Sequence, residues 1–328
     1  MRERSWLNRS TIGVSLSSLF SDVSHEMATA VLPAVLTAMG SGPSALGIIE
    51  GVADAASAFA KLWGGLLTDR VGRKKPLASI GNLVTALGTA SIGLCTVWWQ
   101  AMICRTTAWV GRGSRGPARD VLMAEAAEPR HHGKAFGMER AADAAGAVIG
   151  PLIALAFVWA GCDGRSLVGL SIIPGILSFL SIVVLVQERT PALPAVRRRI
   201  WASFAATGRP FHRYLLGIAL FGSGDFSRTL LIFYVGRHVV ASSAAAIPLS
   251  IALYVLHNAV SAAAAFPIGA LADRIGRKRV IVAGYLFAAA TTLAFALAPP
   301  RIPHLAMLFT ASGLAIACEE VAEKARAA

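Results

Sequence analysis

The sequence predicts an all-α membrane protein, a bundle of about ten membrane-spanning helices in two similar halves. Three observations support this prediction: the chain is very apolar, it contains a series of long apolar runs, and one charged sequence occurs twice, 204 positions apart. Of its 328 residues, 55% are hydrophobic and 15% are charged, and the mean hydropathy is +0.61. Soluble domains carry about 25% charged residues, so this chain is expected to lie in a lipid bilayer.

A helix needs about 20 apolar residues to cross the hydrocarbon core, and its backbone polar groups must be satisfied within the helix. We predict ten such helices, numbered one to ten in chain order. They cover residues 11–39, 45–68, 76–97, 98–125, 135–160, 166–187, 213–236, 247–271, 279–298 and 302–321.

The basic residues predict the orientation of these helices. Loops on one side contain 21 Lys and Arg residues, whereas loops on the opposite side contain only Arg165, Arg237 and Arg301. Because basic loops stay in the cytoplasm, both ends of the chain are expected there, in a bacterial-type plasma (inner) membrane. The net charge of +13 does not indicate a nucleic-acid-binding protein, since the basic residues lie between apolar blocks.

A segment rich in Pro and Arg, residues 188–212, interrupts the apolar runs and is interpreted as a cytoplasmic linker. It divides the chain into a six-helix half, residues 1–187, and an incomplete half of four helices, residues 213–328. The two halves are alike: Asp22 in "SLFSDVSHE" and Asp225 in "LFGSGDFSRT" lie 203 positions apart. Repeats of this kind are common in secondary transporters, whose substrate site lies between them near the bilayer midplane.

The repeated charged sequence reads G-x3-D-R-x-G-R-K and follows predicted helices two and eight. Both copies resemble motif A of the major facilitator superfamily of transporters. Helix four resembles motif B, with Arg105 at its arginine and Trp109 in place of a glycine. Helix five resembles motif C, which in the family is associated with antiporters, and "MATAVLPAVL" resembles a signature of drug–proton antiporters. The motif A residues are Gly65, Asp69, Arg70, Gly72, Arg73, Gly269, Asp273, Arg274, Gly276 and Arg277, and the motif C residues are Gly137, Gly146, Gly150 and Pro151.

The resemblance implies two halves that rock about a central site and give access to each side of the membrane in turn. It also implies that each motif A aspartate docks on the opposite half and holds the cytoplasmic side closed. The family has twelve helices, whereas this sequence reads as six plus four. We therefore expect Asp273 to find its partner near helix five, and Asp69 to lack the partner that an eleventh helix would supply.

Charged residues inside membrane-spanning helices are costly, and they usually face a cavity and form pairs. Arg105, Arg112 and Arg119 in helix four recur every seven positions and so share one helix face. We expect Arg105 and Arg112 to line the substrate cavity; the alternative is that they form internal ion pairs. Asp225 and Arg228 in helix seven are further cavity candidates and are expected to pair with each other.

The acidic residues also suggest a function, because several are spaced i,i+4 and share a helix face. Two desolvated carboxyl groups that lie close together can hold a proton near neutral pH, as a proton-coupled carrier requires. The alternative is that these acids only neutralise the arginines. The candidates for proton coupling are Asp22 and Glu26 in helix one, Asp54 beside Glu50 in helix two, and Asp143 beside Glu139 in helix five.

The repeat offset pairs Arg115 and Arg119 of the first half with Glu319 and Glu323 of the second. These opposite charges could form an ion-pair gate at the cytoplasmic side, and the alternative is that they are separate charges at helix ends.

The sequence thus predicts a monomeric secondary transporter that exports a small molecule in exchange for protons. The alternatives are a proton symporter that imports an anionic or sugar-like solute, and a truncated chain without transport activity. No nucleophile–base arrangement, cofactor motif or metal-ligand spacing is present in the sequence, so an enzyme, a cofactor and a metal are not expected.

Overall fold

The structure, a computed structural model, describes residues 7–70, 73–128, 131–188, 216, 228–238, 246–297, 299 and 301–327. Within these ranges the side chains of residues 237, 238, 246, 273, 277 and 319–327 are not described. The described residues form long helices and contain no strand, which confirms the predicted all-α bundle.

The helices follow the predicted apolar runs closely. They are α1 (Arg9–Ala38), α2 (Pro43–Arg70), α3 (Lys74–Ser91), α4 (Trp98–Ala126), α5 (His132–Trp159), α6 (Gly164–Leu170), α7 (Ile172–Leu180), α8 (Arg228–His238), α9 (Ala246–Ile275), α10 (Arg277–Leu297) and α11 (Ile302–Ala327). A 3₁₀ turn, Ile92–Leu94, extends α3, and a π-helical turn, Ser181–Leu185, extends α7. Helices α6 and α7 together form predicted helix six, and α8 to α11 correspond to predicted helices seven to ten.

Five described segments are long and apolar enough to cross a membrane: Lys74–Leu94, His132–Trp159, Gly164–Leu185, Ile247–Ala272 and Lys278–Leu297. Helices α1, α2 and α4 are equally long but are not among these segments, because they carry polar and charged residues along their length. Many of the polar side chains of α1 and α4 are buried inside the bundle. These helices thus turn polar groups toward the protein interior, as expected for helices that surround a transport path.

The C-terminal ends of α2 and α9 and the N-terminal ends of α3 and α10 lie at one end of the bundle, here called the turn face; the opposite end is the far face. Near the far face, one buried apolar cluster contains residues of both halves: Met27, Val31, Leu32, Leu36 and Ile49 with Ile232, Ile251 and Tyr254. Near the turn face, each half has its own cluster. Val14, Leu122, Met123 and Ile182 belong to the first half, and Ala272, Val280 and Ile281 belong to the second. Among the described residues, an apolar cluster therefore joins the two halves at the far face, whereas the apolar clusters near the turn face each belong to one half.

At the turn face, Glu188 is part of the fold of the first half. Its carboxylate accepts a hydrogen bond from the backbone N–H of Lys74 and another, at 3.1 Å, from that of Lys75. An acidic group at a helix N-terminus satisfies free N–H groups there. Lys74 also forms an ion pair with Glu125 near the end of α4. The first residue of the predicted linker thus caps α3, while residues 189–212 lie outside the described ranges.

Candidate functional site

A buried network of charged residues joins α4 to three other helices of the first half. Arg105 forms an ion pair with Glu50 of α2, with 3.1 Å between Nη2 and Oε1. Both side chains are nearly inaccessible, at 3% and 4% exposed. Arg105 also donates a hydrogen bond to the Thr29 hydroxyl at 3.2 Å. For Arg105, the structure therefore favours the internal ion pair over a side chain that lines the cavity.

The second pair of the network connects α4 to α1 and α5. Arg112 Nη2 lies 2.7 Å from Asp22 Oδ1, and the carboxyl groups of Asp22 and Asp143 are in direct contact. Arg140 in turn lies 3.2 Å from Asp143. The Arg112 side chain is 26% exposed, whereas that of Asp22 is 7% exposed. Of the two arginines predicted to line the cavity, Arg112 is the accessible one.

The remaining arginines of α4 are directed into the first half. Arg119 forms an ion pair with Glu139 of α5 at 3.0 Å, and Ser18 donates a hydrogen bond to the same carboxylate at 2.8 Å. Arg115 is 2% exposed and donates hydrogen bonds to Ser21, at 2.6 Å, and to Asn82. The side chains of Glu319 and Glu323 lie outside the described residues, so the ion-pair gate stays a prediction.

Trp109 lies between the two central arginines, at the position where motif B has a glycine. Its ring centroid is 5.0 Å from the guanidinium carbon of Arg105 and 5.4 Å from that of Arg112. The His25 ring lies 4.4 Å away on α1. Arginine over an indole face is a favourable cation–π contact. The indole therefore supports both guanidinium groups, a role that the sequence did not indicate.

Hydrogen bonds cross between the halves in the described part of the chain. The Tyr254 hydroxyl of α9 donates to Glu26 Oε2 at 2.5 Å, and the Thr229 hydroxyl of α8 donates to Glu50 Oε1 at 3.4 Å. Asn258 donates from Nδ2 to the backbone carbonyl of Ala147 at 2.8 Å. The site residues predicted from sequence do not include Tyr254, Thr229 or Asn258. One signal was available for two of them: Tyr254 and Asn258 are spaced i,i+4 and share one face of an otherwise apolar helix.

Other predicted site residues lie apart from this network or outside the described residues. Asp54 is exposed on α2, although it is only one turn from Glu50. Arg228 is half-buried at the first turn of α8, and its expected partner Asp225 is not described.

The two motif A turns are described in part. Asp69 is exposed, and no hydrogen bond or ion pair joins it to another residue in the described ranges. Arg70, Arg73 and Arg274 are also exposed; the side chains of Asp273 and Arg277 and all of Gly72 are not described. Gly276 has a φ of +95°, a left-handed conformation that favours glycine in a turn. The expected difference between Asp69 and Asp273 stays a prediction.

The motif C glycines bring α5 into close contact with α1, directly behind the acidic residues. A Cβ atom at Gly146 would lie 2.6 Å from the Leu19 carbonyl oxygen and 2.9 Å from the Asp22 Cβ. A Cβ atom at Gly150 would lie 2.8 Å from the Val23 carbonyl oxygen and 2.9 Å from the Glu26 Cβ. These separations are too short for any side chain, so both positions require glycine.

Gly150→Ala is therefore expected to push α5 away from α1 and to lower the free energy of unfolding by about 1–3 kcal/mol. Gly137→Ala is the matched control on the same helix, because a Cβ there would meet nothing within 4 Å. Thermal unfolding of the purified proteins in detergent should show a lower midpoint only for Gly150→Ala. Equal midpoints for the two variants would mean that α5 can move away at no cost.

Comparisons with known proteins agree with this architecture. The family model described as Major Facilitator Superfamily matches residues 14–318. An uncharacterized MFS-type transporter of Methanocaldococcus jannaschii is 27% identical over 316 residues, which cover 95% of this chain and 78% of the relative. An uncharacterized protein of Mycobacterium tuberculosis is 30% identical over 278 residues, which cover 80% of this chain and 65% of the relative.

Among solved structures, a bacterial homolog of the human lysosomal transporter Spinster, in an inward-facing and occupied conformation, has a TM-score of 0.71. The two sequences are 17% identical, and the match covers 95% of this chain and 72% of that one. At this level of identity the likeness concerns the fold.

Proposed function

Because the chain belongs to the Major Facilitator Superfamily, whose members are multi-pass membrane transporters and not enzymes, we propose that it exports a small molecule in exchange for protons. In this proposal the chain is a monomer in a bacterial-type inner membrane. The N-terminus and the turn face lie in the cytoplasm, as the basic loops indicate. The solute enters from the turn face, where each apolar cluster belongs to one half.

The contact between Asp22 and Asp143 beside Arg112 carries the proposal. Two buried carboxyl groups in contact repel each other when both are ionised, so such a pair favours holding one proton. Arg112, at 2.7 Å from Asp22, and the more exposed Arg140, at 3.2 Å from Asp143, supply compensating positive charge. The cluster can therefore gain or lose one proton while each carboxyl group keeps a basic partner beside it, and Arg112 remains partly exposed.

Exchange follows if proton and solute use this cluster in turn. A solute that donates hydrogen bonds or carries positive charge competes with the proton for the carboxyl groups of Asp22 and Asp143. The proton is released to the turn face when solute binds there, and solute is released to the far face when a proton binds. Each binding event stabilises one state of the cluster, and the gradient of protons then drives export.

Purified protein in lipid vesicles with an imposed proton gradient provides the test, with a panel of labelled solutes and a pH-sensitive dye. We expect at least one solute to move uphill while protons move in the opposite direction, and an ionophore that dissipates the gradient should stop both. Solute that accumulates on the side toward which protons flow would contradict export by exchange.

A second candidate is a symporter for an anionic solute, and one observation favours it. Arg112 Nη1 is buried and has no hydrogen-bond partner among the described residues. A carboxylate of the solute could accept from this donor when a proton neutralises Asp22. The same vesicle assay separates the candidates, since symport moves solute and protons in one direction.

A further inference from the structure

The hydrogen bond between Tyr254 and Glu26 lies within the core that closes the far face. The donor oxygen is 2.5 Å from Glu26 Oε2, and Tyr254 and Glu26 are 2% and 7% exposed. Tyr254 belongs to the same buried apolar cluster as Met27 and Val31. Any movement that opens the far face has to separate α9 from α1 and so has to break this bond.

On the side of its own half, Glu26 packs tightly against α5. Gly150 of α5 packs directly behind its Cβ, as described above, so α1 cannot shift toward α5 at this position when α9 moves. In the described part of the chain no basic side chain lies within ion-pair distance of Glu26. Its nearest polar partner is thus a neutral hydroxyl from the opposite half.

We propose that Tyr254 is a positioning residue that makes closure of the far face depend on the charge of Glu26. This inference rests on the proposed coupling to protons. A hydrogen bond to an ionised carboxylate is about twice as strong as one to a neutral acceptor. Because water is excluded here, a bond that is weakened is not replaced by solvent. Ionised Glu26 therefore holds the far face closed, and a proton on Glu26 favours opening.

Other charged groups around Glu26 could contribute to a response to pH and must be separated from it. Arg105 is neutralised by Glu50, so its charge is already compensated. The remaining groups are Asp22 and His25 on α1, Arg112 on α4, Asp143 on α5, Arg228 on α8 and His257 on α9. The hydroxyl of Tyr254 is the contact that links the charge of Glu26 directly to the opposite half.

The consequence for the transport cycle is a restriction on the empty carrier. With Glu26 ionised and no solute bound, the far face stays closed. The only chemical step is the transfer of one proton between water and the Glu26 carboxyl group. A carrier that has neither proton nor solute therefore does not change state, which prevents the dissipation of the gradient.

The test measures the far face directly, without solute. Spin labels at Ser44→Cys and Arg301→Cys, two exposed positions at the far ends of α2 and α11, report the distance between the halves, in a chain whose native cysteines are replaced by serine. Electron–electron double resonance is recorded from about pH 3.5 to about pH 8, a range that includes the ordinary titration of glutamic acids at about pH 4.3. In the parent chain, acidification should raise the ratio of open to closed far face by about tenfold.

Two variants distinguish the charge-dependent bond from simple packing. Tyr254→Phe should increase the open fraction near neutral pH and flatten its dependence on pH, and Glu26→Gln should do the same. Ile251→Ala is the matched control, because it weakens the apolar cluster that joins the halves and removes no polar or titratable group. It should raise the ratio of open to closed far face by a similar factor at every pH. The change of this ratio with pH should therefore be the same as in the parent chain.

A Tyr254→Phe protein that keeps the full pH dependence would overturn the inference, as would an open fraction that does not respond to pH in the parent chain. In the double variant Tyr254→Phe, Glu26→Gln, any pH dependence of the open fraction that remains belongs to another titratable group. The vesicle assay is a separate test. Absence of proton-coupled transport together with a pH-dependent far face would overturn the proposed function and leave the role of Tyr254 intact.

Discussion

Asp22→Asn is expected to reduce solute-coupled proton movement to the level of empty vesicles while the protein remains folded. The amide has nearly the same shape as the acid but cannot take up the proton that we propose for the Asp22–Asp143 pair. It also removes the negative charge that lies 2.7 Å from Arg112. The measurement is dye-reported proton flux on addition of a transported solute, with the thermal unfolding midpoint as a check on folding.

Asp54→Asn is the control for this experiment. Asp54 was also a candidate from sequence, but it is exposed on α2 and lies outside the buried network. This variant should retain proton flux near the level of the parent chain. Full coupled flux in Asp22→Asn, or loss only in Asp54→Asn, would remove the Asp22–Asp143 contact from the transport mechanism.

Arg105→Met is expected to have the largest effect on stability. It leaves the Glu50 carboxylate buried without its basic partner, and breaking a buried ion pair in this way costs about 3–5 kcal/mol. The Thr29 hydroxyl also loses a donor. Thermal unfolding in detergent should show a large decrease in the midpoint, and little folded protein is expected in the membrane fraction.

Two variants test this explanation. Arg105→Met combined with Glu50→Leu removes both charges and should recover most of the stability, because no unpaired charge is left. Arg140→Met breaks an ion pair whose arginine is 47% exposed, and it should cost no more than about 1 kcal/mol. If the double variant is as unstable as Arg105→Met alone, the arginine stabilises the fold through packing rather than through charge.

The helices could be predicted from sequence because a bilayer leaves the backbone few alternatives. The same reasoning predicted that Arg105, Arg112 and Arg119 share one face of α4. It could not predict that these residues pair with α2, α1 and α5 respectively. Those partners depend on the rotation of α4 about its axis and on its position relative to the neighbouring helices. Both are determined by side-chain packing throughout the first half.

The contacts between the halves were harder to predict. Tyr254 is one hydroxyl in an apolar helix, and its partner lies 228 positions earlier in the chain. Spacing within a helix carries no information about such a pair. The motif C glycines were different: a small residue in a membrane helix favours close packing, and Gly146 and Gly150 do pack against α1.

The arginines of α4 also constrain how the protein is made. Each arginine near the centre of a membrane helix costs roughly 2.5–3.5 kcal/mol on the insertion scale, so α4 is a poor candidate for insertion by itself. The acids that pair with Arg105 and Arg112 lie on α2 and α1, which are synthesised first, whereas Glu139 of α5 follows α4. We expect α4 to remain at the translocation channel until α1, α2 and α5 can receive it, so that the first half enters the bilayer as a group of helices.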